Sequence, residues 1–220
     1  MSDYAMQVAV RLLVVITALP VHECAHGWVA YKLGDPTAKQ LGRLTLNPFK
    51  HFDLFGTMML LLTGFGFAKP VPINPNYFKN RKAGMAISAL AGPVSNILLA
   101  AVLLLIFKIC GYFIPMSLNA GYILQTVFSI MVSTNIGLAI FNMIPIPPLD
   151  GAKVLSFFLS DRLNYRLMVF EQKYQMFMIL GLFALIYLGI LRLPMGMLSG
   201  LIYRGIDFLT GFIDLLARII

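Results

Sequence analysis

The apolar runs of this chain constrain its fold more than any other feature. Five stretches stand out, at Tyr4–Tyr31, Leu54–Phe67, Ala83–Ile109, Ala120–Met143 and Met176–Leu191. A helix needs about 20 apolar residues, each adding about 1.5 Å of rise, to cross the hydrocarbon core of a bilayer. The first, third and fourth stretches reach that length, and the fifth is marginal at its ends. The second is short and holds Gly56, Gly64 and Gly66, which favours a short or re-entrant element over a full crossing. The tail from Leu198 to Ile220 mixes Arg204, Asp207, Asp214 and Arg218 with apolar residues. It suits either an interfacial amphipathic helix or a last, weak span. Four and five crossings are both compatible with these lengths.

The expected fold is therefore an all-α polytopic membrane protein. It is a bundle of about four to six transmembrane or re-entrant segments forming a single domain over residues 1–220. Composition agrees, since 59% of the residues are hydrophobic and 12% charged, where a soluble domain carries about 25% charged residues. A net charge of +8 could suggest nucleic acid. In a membrane chain, however, Lys and Arg gather in cytoplasmic loops, so a nucleic-acid partner is not expected. The N-terminus enters its apolar run by Tyr4 without a basic leader or small-residue cleavage site. That predicts a retained span rather than a removed signal peptide. Cys24 and Cys110 belong to separate apolar segments and need no disulfide.

Loop charges set an expected orientation. Lys32, Lys39, Arg43 and Lys50 lie in one connection; Lys69, Lys79, Arg81 and Lys82 lie in the next; Lys153, Arg162, Arg166 and Lys173 follow Asp150. Residues 110–119 carry no charge. The positive-inside rule then places 32–82 and 150–175 in the cytoplasm, with the N-terminus and 110–119 outside. Arg11 and Lys108 are expected to snorkel to the outer interface.

The chemistry is concentrated in His22-Glu23-Cys24-Ala25-His26, inside the first span. On a helix, positions i and i+4 share a face, so both imidazoles can meet one ion, with Glu23 beside them to act on a bound water. This is the H-E-x-x-H arrangement of zinc proteases. A chance cluster is a weak alternative, because two histidines and a glutamate in an apolar span are costly unless they bind something or line a wet site. A catalytic zinc wants a third protein ligand, and Asp150 is the candidate, at the end of Asn142-Met143-Ile144-Pro145-Ile146-Pro147-Pro148-Leu149-Asp150-Gly151. Three prolines break the helix there, and broken backbone at membrane depth must be buried in protein or line a cavity. A helix-capping aspartate is the other reading of Asp150. Asn96, in Ala91-Gly92-Pro93-Val94-Ser95-Asn96, can bind a substrate carbonyl or act as polar glue between helices, with Gly92 and Ser95 as small contacts. By helical rise Asn96 stands ~20 Å beyond Lys82, at a depth similar to the other motifs.

These motifs resemble the site-2 protease family of intramembrane zinc metalloproteases, in its compact prokaryotic branch without a PDZ domain. The match is carried by H-E-x-x-H at 22–26, G-P-x-x-N at 92–96 and N-x-x-P-x-x-P-L-D-G at 142–151. Gly42–Pro48, His51-Phe52-Asp53 and Phe67–Pro75 are also similar, so the resemblance covers about residues 5–160. It implies one zinc per chain held by His22, His26 and Asp150, in the cytoplasmic half of the bilayer of a prokaryotic cell membrane. Glu23 would be the general base and Asn96 a catalytic and substrate-binding residue. The implied substrates are transmembrane proteins or peptides, which must unwind before cleavage. Lys69 and Pro70, in the proline-held segment Phe65–Asn76, are expected to pair with the unwound strand. His51 and Asp53 are expected to be interfacial, or to hydrogen-bond the site from behind its ligands.

Overall fold

The computed structural model describes residues 3–53, 56, 58, 69–114 and 119–217. The stretch Leu54–Phe67, read above as short or re-entrant, lies almost wholly outside the described residues. So do residues 65–68 of the extended segment and the Arg11 side chain. The chain forms α1 (Asp3–Lys32), a four-residue α2 (Thr37–Gln40), α3 (Arg81–Phe113), α4 (Asn119–Asn142) and α5 (Asp150–Phe158). These are followed by α6 (Asp161–Tyr187), α7 (Arg192–Thr210) and α8 (Phe212–Ala217), with 3-10 turns at Pro48–Lys50 and Pro75–Tyr77. No strand occurs among the described residues. Among the described residues, four helices are long and apolar enough to cross a membrane: α1 from Val8, α3, α4 and α6. The protein is an all-α polytopic membrane protein.

Helix boundaries follow local chemistry. The α1 helix ends where Gly34 takes φ of +109°, a backbone that side chains rarely adopt, and Asp35 N–H closes the turn on the Ala30 carbonyl at 2.9 Å. The α3 helix opens with the Asn80 side chain accepting from the Ala83 amide at 3.1 Å, an ordinary N-cap. The α6 helix begins at Asp161, well ahead of the apolar stretch at Met176. The Ser160 hydroxyl accepts from the Leu163 amide at 3.4 Å and Asp161 sits in the first turn, both favourable at a helix N-terminus. The basic run from Arg162 to Lys173 is thus helical rather than loop.

The long α3 is the centre of the bundle, packing against α1 on one side and α4 on another, with α5 lying along it as well. Ala100 and Leu104 of α3, Val132, Ile136 and Ile140 of α4, and Ile206 of α7 form one buried apolar cluster. The α7 helix therefore packs along α3 and α4 rather than lying flat on an interface, although its composition falls short of a span. Its start is near the middle of α3: Leu191 and Met195 share a cleft of about 400 Å³ with Ile97, Met143 and Pro145. Its end meets the last turns of α3, where Lys108 Nζ lies 2.8 Å from Asp207 Oδ1 and 2.6 Å from Asp214 Oδ2. Lys108 does not snorkel free; it is almost covered and clamps α7 and α8 to α3. At the opposite end, Lys82 pairs with Asp161 at 2.5 Å and donates to the Leu159 carbonyl at 2.8 Å. Beyond that anchor α6 stands largely apart from the other described helices.

Candidate active site

Three elements meet in the middle of the bundle: α1 with His22, Glu23 and His26; α3 with Ser88, Gly92 and Asn96; and the first residue of α5, Asp150. Helical spacing puts His22 and His26 on one face of α1, and their rings meet edge to face with centroids 4.6 Å apart. Their Nε2 atoms lie 3.0 Å from each other. Asp150 Oδ2 lies 3.2 Å from the first and 3.1 Å from the second. All three residues are buried, each 6% exposed.

The far side of each ring decides what this group can hold. His26 Nδ1 lies 2.7 Å from the Ser88 carbonyl oxygen, which can only accept, so Nδ1 carries the proton. His22 Nδ1 faces Asn96 Oδ1 at 3.3 Å, another acceptor. Both Nε2 atoms then present lone pairs, and both point at a carboxylate oxygen. Three converging acceptors repel one another unless a cation sits among them. Two imidazole nitrogens and one carboxylate oxygen, each fixed from behind, make a donor set that suits zinc with one position left open. The ligand atoms fall within 4.8 Å of one another. The group can hold a metal ion.

The backbone makes room for it. A Cβ on Gly92 would strike His26 Nε2 and both rings' Cε1 atoms, so glycine is required where α3 passes the imidazoles. The packing contact expected of Gly92 is in fact with the two histidines. Asp150 does not cap its helix: the N-cap of α5 is Leu149, and the Asp150 carboxylate turns to the rings instead. A Cβ on Gly151 would strike the Met143 and Ile144 carbonyls, so that glycine lets α5 start tight beneath the proline loop. Lys153 Nζ stands 3.2 Å from Asp150 Oδ1, leaving Oδ2 for the histidines.

Glu23 lies one residue from His22, and its Oε2 accepts from the Val71 amide at 2.8 Å. The extended segment after Lys69 therefore lies against α1 at the site. Lys69 and Pro70 are exposed, and both their carbonyls accept from Arg43 Nη2, at 2.7 and 3.3 Å. Asn96 is fully buried, and its Nδ2 has no partner among the described residues. His51 is buried inside the protein. It is 1% exposed, its Nε2 donates to the Thr45 carbonyl at 2.7 Å, and its own carbonyl accepts from the Lys69 amide at 2.9 Å. Asp53 accepts from the Gly56 amide at 2.9 Å. Neither is bonded to the three converging side chains; both fasten the loop around the site. Ser88 and Asp35 escaped the sequence reading, and Arg43 entered it only as a loop charge within the similar stretch Gly42–Pro48, because a helical serine, a post-helix aspartate and a loop arginine have no spacing that marks a role in the site.

Comparison with known proteins agrees with this geometry. A family model described as Peptidase family M50 matches residues 108–188. YwhC of Bacillus subtilis (strain 168), provisionally named a zinc metalloprotease, is 43% identical over 147 residues, 66% of either chain. A relative in Methanocaldococcus jannaschii under the same provisional name is 33% identical over 154 residues, 66% of this chain and 69% of its own. The chain belongs to peptidase family M50. The family is that of the site-2 proteases. A further relative is Rip2 of Mycolicibacterium smegmatis, again provisionally named a zinc metalloprotease. It is 28% identical over 153 residues, covering 66% of this M50 chain and 56% of its own. The chain thus spans between just over half and about two thirds of the length of these relatives. No solved structure matches it significantly. The M50 model itself reaches Asp150 but not His22 or His26, so the three-sided site is a property of the fold rather than of the matched segment.

Proposed function

We propose that this protein is an intramembrane zinc metalloendopeptidase that hydrolyses peptide bonds in or near transmembrane segments of membrane proteins or peptides. The observation that carries the reading is the convergence of His22, His26 and Asp150 as three buried acceptors, with the Glu23 carboxylate beside them. Zinc, one per chain, would be held by those three residues. When bound it supplies a Lewis acid that makes a water acidic and polarises a carbonyl. Glu23 then takes the proton from the attacking water and returns it to the leaving amine. The unpartnered Asn96 Nδ2 donates to the substrate carbonyl as negative charge develops on its oxygen. Its Oδ1 meanwhile keeps His22 in the tautomer that faces the metal. The segment carrying Lys69 and Pro70 offers an extended edge beside Glu23, against which an unwound substrate strand can pair.

The bilayer is the working environment. With the N-terminus outside a prokaryotic cell membrane and residues 32–82 inside, the site lies towards the cytoplasmic side. The decisive experiment compares wild type with Glu23→Gln on single-span reporter substrates in liposomes, with bound zinc quantified in both. Cleavage by wild type, its loss by at least ~10³-fold in the variant, and about one zinc in each are expected. A well-folded wild type that takes up no zinc would overturn the reading.

A further inference from the structure

The chain between Lys69 and Asn74 is held in place through several of its backbone polar groups. Pro70 and Pro72 donate nothing and keep the backbone extended. Three of the four remaining amides go to particular partners: Lys69 N–H to the His51 carbonyl at 2.9 Å, Val71 N–H to Glu23 Oε2 at 2.8 Å, and Asn74 N–H to Asp35 Oδ2 at 2.7 Å. Two carbonyls are taken by one nitrogen of Arg43. The Val71 side chain is buried against α1, where a Cβ on Gly27 would come within 3.0 Å of it. Gly27 follows Glu23 by four residues, so Val71 docks on the face of α1 that presents the glutamate.

Asp35 and Arg43 hold this segment from its two ends. Asp35 is fully buried; its Oδ1 accepts from the Thr37 amide at 3.0 Å while Oδ2 holds Asn74. That ties the end of α1 and the start of α2 to the far end of the segment. Arg43 grips the near end at Lys69 and Pro70. A glutamate side chain has three free torsions, and one hydrogen bond to Oε2 from a fixed amide selects among its rotamers, leaving Oε1 for water. A misplacement of about 1 Å at a reacting group can cost about 10²-fold in rate. We propose that Arg43 and Asp35 are positioning residues for the general base, acting through the clamped segment whose Val71 N–H holds Glu23. The inference rests on the proteolytic reading above.

The test uses the full chain, zinc-loaded, in detergent micelles, with two readouts. Amide hydrogen exchange at Val71 reports the clamp directly. It is expected to speed up roughly tenfold or more in Arg43→Gln, in Asp35→Asn and in Glu23→Ala, as loss of a local hydrogen bond does. Steady-state cleavage is expected to show a fall in kcat of roughly 10–100-fold in Arg43→Gln, larger than any change in KM, with zinc content unchanged. Arg43→Lys, which keeps a cationic donor on a head of different shape, should recover part of both. Unaltered Val71 exchange in folded Arg43→Gln and Asp35→Asn would overturn the proposal, as would a loss lying wholly in KM. If wild type cleaves no reporter, that counts against the proteolytic reading, while the exchange result still decides whether Arg43 and Asp35 hold the segment on Glu23.

Discussion

At the scale of single residues, the site is an arrangement of acceptors that tolerates little added volume. Gly92 passes so close to the two imidazoles that even one methyl group cannot be placed without moving them. Over-packing a tight interior typically costs about 1–3 kcal/mol. Here the displaced atoms are the Nε2 lone pairs themselves, so the cost should appear in metal affinity before it appears in folding. Gly92→Ala is expected to fold and insert in the membrane yet retain well under half an equivalent of zinc. Metal analysis of the purified variant, beside a melting curve, checks this; full zinc with normal activity would show that the rings have room to give. Asp150 argues the same way. A buried carboxylate is costly unless it is paired, and the Lys153 ammonium beside it offsets part of that cost with counter-charge. The chain keeps the charge where a cation can use it.

At the scale of elements, two lysines near opposite ends of α3 do different work. Lys82 ties the start of α3 to the start of α6. Lys108 ties its other end to α7 and α8 through Asp207 and Asp214. The two aspartates are half exposed while Lys108 is 11% exposed, so its ammonium would be left poorly solvated without them. Lys108→Met removes the clamp and leaves two aspartates side by side. It is expected to lower Tm by roughly 2–4 °C, the equivalent of about 1 kcal/mol in a chain of this size. It should also speed protease nicking within 188–217, where α7 would loosen from the apolar cluster. Limited proteolysis and a thermal melt, with Lys108→Arg as the conservative control, measure both. The same comparison shows where helix prediction from apolar length stops. The apolar stretch at Met176 marks only the second half of α6, because Ser160 and Asp161 start the helix with polar groups that hydropathy does not register.

At the scale of the whole molecule, the proposed orientation rests on charge asymmetry and is open to direct test. In a Cys24→Ser, Cys110→Ser background, a cysteine at Lys39 should react with a membrane-impermeant maleimide only in inverted vesicles. One at Tyr112 should react only from the outside of intact cells. Both positions are exposed, so reaction from the opposite sides would reverse the assigned topology and put the site towards the other face. The membrane class, the helical architecture, the H-E-x-x-H pair and the two further motifs were all legible in the linear chain. Each is a local property: apolar length reports the cost of hydrating a span, and the i, i+4 spacing reports a helix face. What the fold alone decided is non-local. It turned Asp150 from its own helix towards His22 and His26, set Gly92 against their rings, and paired Ser88 and Asn96 with the two Nδ1 atoms. It also brought Val71 to Glu23 under the hold of Arg43 and Asp35. Those contacts join residues 26 to 128 positions apart. No periodicity encodes such pairs, because they exist only once α3 has packed between its neighbours and closed the space around the site.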